Sequence, residues 1–264
     1  MNRSTTWAAP EVAVEHRGAV SRDSADHARS TIAAVFGHAP EPVLFARVRL
    51  TMAAGPAMAR PAVAQANLDV NGRLVRAQVA GATMREAIDL LHDRLLVRLD
   101  RVGRHWEARR GGRPTAGPHE WRHGAEPTHR PDHYPRPVEE REVIRHKSFT
   151  LAAESPDEAA FDMETLDYGF LLFTDAETGQ DSVIYHSGEG YRLAQVAPRP
   201  RREGTSAVPL TVSPHPPPRM GVREAIDRLE TTGLPFVFFL DARTGRGNVL
   251  YHRYDGHYGL ITPA

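Results

Sequence analysis

The chain has 264 residues, of which 41% are hydrophobic, and it contains no cysteine. This composition allows two or three small domains with their own cores, and it excludes disulfide bonds, thiolate metal sites and cysteine nucleophiles. The amino terminus has no apolar run of the signal-peptide kind, and no stretch approaches the roughly 18 apolar residues that a membrane-spanning helix needs. We therefore expect a soluble cytoplasmic protein.

The formal net charge of zero conceals an uneven distribution of charge along the chain. Residues 1–110 contain 16 basic and 11 acidic side chains, residues 146–197 contain 2 and 10, and residues 198–264 contain 9 and 6. Because a polyanion is attracted to basic segments and repelled by acidic ones, the N-terminal segment is the predicted partner of nucleic acid. Every basic residue except Lys147 is arginine. Arginine suits phosphate binding, although a GC-rich genome explains the same preference.

The N-terminal segment has the pattern of an α/β domain. Apolar and polar residues alternate in its strand candidates, as they do in half-buried strands. Asn71-Gly72 is a strong hairpin signal, because both residues accept positive φ. The predicted elements are a strand around 11–17, a helix over 22–36 and strands over 43–53, 62–70 and 73–80.

The helix predicted from Met84 to about Arg109 is the clearest element of this domain. It begins with a capping box, Thr83 followed by Glu86, and its apolar residues form one stripe along the helix. Basic side chains follow one another along a flank of that stripe, as a helix lying on a phosphate backbone requires. The alternative is a solvated face with ion pairs between neighbouring turns; the helical wheel favours RNA contact. The basic set is Arg94, Arg98, Arg101, Arg104, His105, Arg109 and Arg110.

Residues 111–142 are predicted to be a linker, because they are rich in Pro, Gly and His and have no apolar period. His119-Glu120-Trp121-Arg122-His123 fits the zinc-protease pattern H-E-x-x-H, with His129 at the position of a third ligand. That pattern requires a helix, but Gly117-Pro118 precedes it and Gly124 follows it. We therefore expect a solvated linker, no catalytic residue, no cofactor and no metal. Zinc proteolysis and incidental metal binding by the histidines are the alternatives.

Residues 147–196 and 207–262 form an internal repeat. At a constant offset of 66, residues 158–190 match 224–256 at 14 of 33 positions. Each copy has the pattern of a strand, a helix and three strands, with the turns DAETG and DARTG. A module of this size is marginal alone because one apolar face of its sheet stays uncovered, so each copy should pair with another.

The second repeat, PFVFFLDARTGRGNVLYHRYDGHYGLITP at 235–263, resembles the C-terminal module of the long-form hibernation promoting factors of the S30AE, or sigma-54 modulation, type. The first repeat, FLLFTDAETGQDSVIYHSGEGYRL, is similar to it as a diverged copy, and the run RHKSF at 145–149 resembles the entry to that module. The N-terminal order of elements is similar to the ribosome-binding domain of the family. Two tandem modules in place of one resemble the variant associated with dormancy and hypoxia in mycobacteria and their relatives.

This resemblance implies an α+β protein that is not an enzyme. Residues 1–110 would form a β-α-β-β-β-α ribosome-binding domain, residues 111–142 the linker, and residues 143–197 and 198–264 two β-α-β-β-β modules. The first domain would occupy the small-subunit channel over the decoding centre, block mRNA and tRNA binding, inhibit translation and stabilise idle ribosomes during stress. The residues that would face rRNA are the basic set of the second helix together with Arg22 and Arg29 of the first helix.

We expect the two modules to pair within one chain. The acidic first copy and the basic second copy attract each other, and a tethered partner has an effective concentration of roughly millimolar. Ribosomes would then not be bridged into dimers, although the modules are free to contact rRNA between the subunits or on the large subunit. A general RNA-binding or transcription-side regulator is the remaining alternative. The residues predicted to pair the modules are Phe170, Phe173, Tyr185, Phe236, Phe239, Tyr251 and Tyr258.

Overall fold

The computed structural model describes residues 10–53, 58–109, 136–188, 190–200 and 206–264, without the side chains of 105–109 and 149. The chain divides into two compact units, the first comprising residues 1–132 and 165–167 and the second comprising 133–164 and 168–264. Each unit is an α+β structure, which confirms the predicted fold class. The prediction that residues 111–142 form a linker falls mostly outside the described residues.

The first unit is a four-stranded sheet with two helices that contact each other and the strands. Its strands lie in the order β1-β2-β3-β4; β1 and β2 are parallel, and the other neighbours are antiparallel. The chain order is the predicted β-α-β-β-β-α. The elements are β1 (Val12–Arg17), α1 (Arg22–Val35), β2 (Val43–Met52), β3 (Ala62–Val70), β4 (Arg73–Gly81) and α2 (Met84–Arg109).

Local signals in the sequence explain the ends of these elements. Asn71 and Gly72 take φ of 50° and 87° between β3 and β4, as the hairpin signal requires. At the start of α2, Thr83 Oγ1 accepts a hydrogen bond from Glu86 N at 3.2 Å, and Glu86 Oε2 accepts one from Ala82 N at 2.8 Å. The bonds form a variant of the capping box, in which the glutamate accepts from the residue before the N-cap instead of from the N-cap itself.

The core of the first unit lies between the sheet and the helices. Alternate residues of β2, β3 and β4 are buried, as in Ala46, Val48 and Leu50 of β2. The apolar stripe predicted for α2 is buried along the helix, at Met84, Ala87, Ile88, Leu91, Leu95, Leu99 and Val102. Among the described residues of this unit, no helix packs on the other face of the sheet, which presents the intervening strand residues. We call it the open sheet face.

The second unit contains both repeats and has two five-stranded sheets. In each repeat a short strand leads into a helix, and three antiparallel strands follow. The first repeat has β5 (Val143–Phe149), β6 (Ala153–Glu154), α3 (Pro156–Thr165), β7 (Phe170–Asp175), β8 (Asp181–Ser187) and β9 (Gly190–Gln195). The second has β10 (Leu210–Val212), β11 (Arg219–Met220), α4 (Val222–Thr232), β12 (Phe236–Asp241), β13 (Gly247–His252) and β14 (Tyr258–Pro263).

The two repeats exchange their leading strands. The strand β5 lies parallel to β14 at the edge of the second repeat's sheet. The strand β10 lies parallel to β9 at the edge of the first repeat's sheet. Each sheet is therefore completed by a strand from the other repeat, a connection that the periodicity of the sequence does not reveal.

Candidate nucleic-acid surface and contact between the repeats

Two of the arginines predicted to face RNA, the half-buried Arg94 and the buried Arg98, form ion pairs with one aspartate. The side chains of Arg94 and Arg98 are 12% and 2% exposed, and both donate to Asp167 Oδ1, at 2.8 and 2.9 Å. The other carboxylate oxygen of Asp167 accepts from Gln78 N of β4 at 2.9 Å. The three residues 165–167 thus group with the first unit. Nothing in the sequence pointed to Asp167 as the acceptor for this pair of arginines.

The other predicted basic residues lie among carboxylates. Arg29 donates to Asp26 at 2.5 Å, and Arg104 donates to Asp100 one turn away. Arg22 is exposed and Arg101 is half-buried, whereas the side chains of His105 and Arg109, and the whole of Arg110, lie outside the described residues. Across α1 and the described side chains of α2, seven arginines accompany six carboxylates. The described part of the helical side is therefore close to neutral.

The open sheet face carries a basic and amide-rich set that sequence reasoning missed. Arg47 and Arg49 of β2 both approach Glu15 of β1, with N–O distances of 3.5 and 2.9 Å. The Arg47 guanidinium lies 5.6 Å from the centre of the exposed Phe45 ring. The strand register places four arginines, two carboxylates and three amides on this face. They are Arg17, Arg47, Arg49, Arg76, Glu15, Asp69, Gln65, Asn67 and Gln78.

The alternation of apolar residues and arginines within β2 is the sequence signal that predicts this face. Val48 and Leu50 are buried, so Arg47 and Arg49 must point the other way. The hydrogen bond from Arg49, together with the charge of Arg47, lowers the pKa of Glu15. Glu15 therefore stays ionised and holds the two guanidinium groups side by side over the sheet.

Aromatic side chains of the two repeats meet between the sheets of the second unit. The rings of Phe170 and Phe236 have centres 4.6 Å apart. Phe170 also lies 5.6 Å from Tyr251, and Tyr185 lies 5.3 Å from Phe236. Phe170, Tyr185 and Phe236 pack against a buried cluster that draws on both repeats, formed by Leu151, Leu172, Val183, Phe238 and Val249.

The other three residues predicted at this contact lie elsewhere. Phe173 packs against α3 residues in the core of the first repeat, and Phe239 packs against α4 residues in the core of the second. Tyr258 belongs to the core of the second repeat as well. The physical reason is strand alternation: Phe173 and Phe239 lie one residue from Leu172 and Phe238, and so they face the helix of their own repeat.

A polar contact at the hairpin turns joins the repeats. Arg246 Nε and Nη2 donate to the two carboxylate oxygens of Asp181, at 2.8 and 3.0 Å. Gly247 N donates to Asp181 Oδ2 at 2.9 Å. The Asp181 side chain is 8% exposed. A charged residue from each repeat is thus held at the edge of the aromatic cluster.

A second polar cluster ties the segment before β5 to the second repeat. Arg141 Nη1 donates to both carboxylate oxygens of Glu230 at 2.6 and 2.7 Å, and Tyr258 Oη donates to Glu230 Oε1 at 2.6 Å. Burial and the bond to Glu230 raise the pKa of Tyr258 to about 12. The first repeat has a related arrangement, in which Tyr191 donates to Glu164 at 3.0 Å and His186 lies 3.0 Å from the same carboxylate.

The described part of the chain contains neither a cluster of metal ligands nor a membrane-spanning helix. No group of three or more His, Asp or Glu side chains there is arranged to hold a metal ion. The H-E-x-x-H segment at 119–123 and His129 lie outside the described residues. Among the described residues, no helix combines the length and the apolar character that a bilayer crossing requires.

The fold and surfaces define a class of protein: an α+β domain with a basic sheet face, joined to two modules that exchange strands. The family model described as "Sigma 54 modulation/S30EA ribosomal protein C terminus" matches residues 138–193 and again residues 211–260. Two proteins named "Dormancy associated translation inhibitor", from Mycobacterium tuberculosis strains CDC 1551 / Oshkosh and ATCC 25618 / H37Rv, are each 41% identical to this chain over 226 residues. The alignment covers 83% of this chain and 76% of each relative.

The chain therefore belongs to the S30AE, or sigma-54 modulation, family of long-form hibernation promoting factors, as its sequence predicted. Membership in this family of ribosome-associated proteins also confirms that it is not an enzyme. Among solved structures, the N-terminal domain of Thermus thermophilus Protein Y is similar to 35% of this chain over 99% of its own length, with 22% identity and a TM-score of 0.30. A ribosomal subunit interface protein from Coxiella burnetii matches 34% of this chain over 94% of its own length, with 15% identity and a TM-score of 0.27.

Proposed function

We propose that this protein is a cytoplasmic ribosome hibernation factor that inhibits translation and preserves idle ribosomes during stress or dormancy. The observation that carries the proposal is the 41% identity, over most of both chains, to proteins named dormancy associated translation inhibitors. The finer part of the proposal is that residues 1–110 occupy the decoding channel of the small subunit and exclude mRNA and tRNA. Steric exclusion suffices for this inhibition, and no chemical step is needed.

The RNA-facing surface in this proposal has two parts. One is the predicted set on the helices, where Arg22, Arg29, Arg101 and Arg104 have exposed or half-buried side chains. The other is the open sheet face, whose excess of arginine attracts phosphate and whose amides suit base edges. Phe45 beside Arg47 offers an aromatic ring and a guanidinium plane, on which unpaired bases stack.

The proposal assigns the modules at 143–197 and 198–264 a pairing role within one chain. It is supported by the aromatic cluster, by the Asp181–Arg246 ion pair and by the exchanged strands β5 and β10. A chain whose modules are already paired has no module surface left to join a second ribosome. Single inhibited ribosomes, rather than ribosome dimers, are the expected product.

Binding to purified ribosomal subunits tests this function. We expect the full chain to co-sediment with small subunits in preference to large subunits and to unrelated RNA at matched salt. The affinity should fall steeply as salt rises, because each phosphate contact releases counterions. Arg101→Ala should weaken binding and reduce the salt slope by about 1. The matched control is Arg85→Ala, a substitution of an exposed arginine at the opposite end of the same helix, which should leave the affinity and the salt slope unchanged. Equal affinity for small subunits and unrelated RNA would contradict the proposal.

A further inference from the structure

The two repeats are related like the halves of a symmetric dimer. Equivalent residues of the repeats differ by 66 in number, and two such pairs touch each other: Phe170 with Phe236, and Asp181 with Gly247. The contacts of Phe170 with Tyr251 and of Phe236 with Tyr185 are also equivalent under this relation. In a two-fold pair, a residue meets its own equivalent only at the axis. Residues 181 and 247 therefore lie at the pseudo-two-fold axis.

At this axis the two repeats carry different residue types. A Cβ added to Gly247 would lie 2.9 Å from Asp181 Cβ and 2.8 Å from Phe238 Cε2, closer than such atoms approach in proteins. Glycine at 247 thus makes room both for the carboxylate of the other repeat and for the aromatic ring of its own repeat. In the first repeat, the residue equivalent to Phe238 is the smaller Leu172, which the strand register places on the same sheet face as Asp181.

The charges at the axis are also one-sided. Arg246 of the second repeat binds Asp181 through two guanidinium nitrogens. The equivalent of Arg246 in the first repeat is Gln180, and the equivalent of Asp181 in the second is Gly247. The ion pair therefore forms in one direction only, and neither repeat holds both of its partners.

We propose that these three differences, at 172/238, 180/246 and 181/247, make each repeat complementary to the other and incompatible with a copy of itself. Two first repeats would place two Asp181 side chains in space that admits one. Two second repeats would contain no Asp181, so both Arg246 side chains would lose the carboxylate that binds Nε and Nη2. The contact surface of each repeat therefore fits a repeat of the opposite type, and the nearest such repeat is the other one in the same chain. The inference deepens the module pairing in the proposed function, and it does not depend on ribosome binding.

Substitutions in the full chain test the complementarity. Phe238→Leu with Gly247→Asp removes the clash with the Phe238 ring and places two aspartates at the axis. We expect this double variant to lower the folded-to-unfolded ratio in urea by roughly 10- to 100-fold, the usual cost of overpacking. The exchanged variant adds Leu172→Phe, Gln180→Arg, Asp181→Gly and Arg246→Gln, which transfers all three differences to the opposite repeats. It should recover most of the lost stability despite carrying three times as many substitutions.

Two results would overturn the inference: a double variant as stable as the wild type, or an exchanged variant no more stable than the double variant. Sedimentation of the same proteins with ribosomes separates this failure from failure of the proposed function. If the exchanged variant recovers stability while the wild type joins ribosomes into dimers, the complementarity stands and the single-ribosome proposal falls. If the double variant is stable while the wild type binds single small subunits, the reverse holds.

Discussion

Replacing Glu230 by glutamine removes the carboxylate that holds the start of the exchanged strand β5 to the second repeat. Glu230 accepts two hydrogen bonds from Arg141 and one from Tyr258, and the side chains of the ion pair are only 20% and 21% exposed. Hydrogen bonds to a charged group contribute about 1.5–3 kcal/mol each. The amide keeps one acceptor oxygen, and the partial exposure of Arg141 lets water replace part of the loss. We therefore expect Glu230→Gln to lower the free energy of unfolding by about 2–4 kcal/mol.

Urea unfolding followed by far-UV circular dichroism measures this loss of stability. Asp227→Asn removes the same charge from an exposed position of the same helix α4 and should change stability by less than about 0.5 kcal/mol. Burial raises the pKa of Glu230, but the bonds from Tyr258 and Arg141 outweigh it and leave the pKa lowered. The contribution of Glu230 is therefore present above its ordinary pKa and is lost as pH falls through the lowered value. Equal unfolding of Glu230→Gln and Asp227→Asn at pH 7 would refute this reasoning.

Three further changes have definite expected outcomes. The raised pKa of Tyr258 means that its contribution to the free energy of unfolding is present below pH 10 and is lost as pH rises through about 12. Tyr258→Phe should therefore make stability depend less on pH between those values, as measured by urea unfolding at a series of alkaline pH values. Phe170→Ala should destabilise the second unit by about 2–4 kcal/mol in thermal unfolding, since its ring contacts two rings of the other repeat. Arg47→Ala with Arg49→Ala should weaken small-subunit binding and reduce its salt slope by about 2; an unchanged slope, as expected for Arg85→Ala, would remove the open sheet face from the proposed RNA surface.

Much of the fold was predictable because its signals are local. The capping box at Thr83, the hairpin at Asn71-Gly72 and the apolar stripe of α2 each depend on residues within a few positions of one another, and the structure contains all three. The internal repeat likewise appears at a constant offset in the sequence. The resemblance of the second repeat to a known module then supplied the family.

The contacts that could not be predicted from the sequence join residues that are far apart along the chain. Asp167 meets Arg94 and Arg98 across about 70 positions, and no periodicity encodes such a pairing. The exchange of β5 and β10 depends on which sheet each leading strand joins, and a strand has the same pattern in either place. The sequence predicts Phe173 and Phe239 at the contact between repeats, because strand alternation alone does not state which face of a sheet the helix covers.

The open sheet face was accessible to sequence reasoning in principle. The helical wheel of α2 displayed its arginines as a ridge, whereas the arginines of β1, β2 and β4 are spread over 60 positions and come together only when the strand register is known. The wheel also omits neighbouring elements, and so it does not show that Arg98 is buried, that Arg94 is mostly covered, and that both bind Asp167.

Translation in a reconstituted system, followed by sucrose-gradient sedimentation of the same reaction, tests the central claim most directly. The account predicts that the full chain arrests synthesis at roughly one molecule per ribosome and co-migrates with single ribosomes, and that prior loading of the small subunit with mRNA and tRNA prevents the arrest. Undiminished synthesis with the protein bound, or arrest that is indifferent to prior loading, would contradict it.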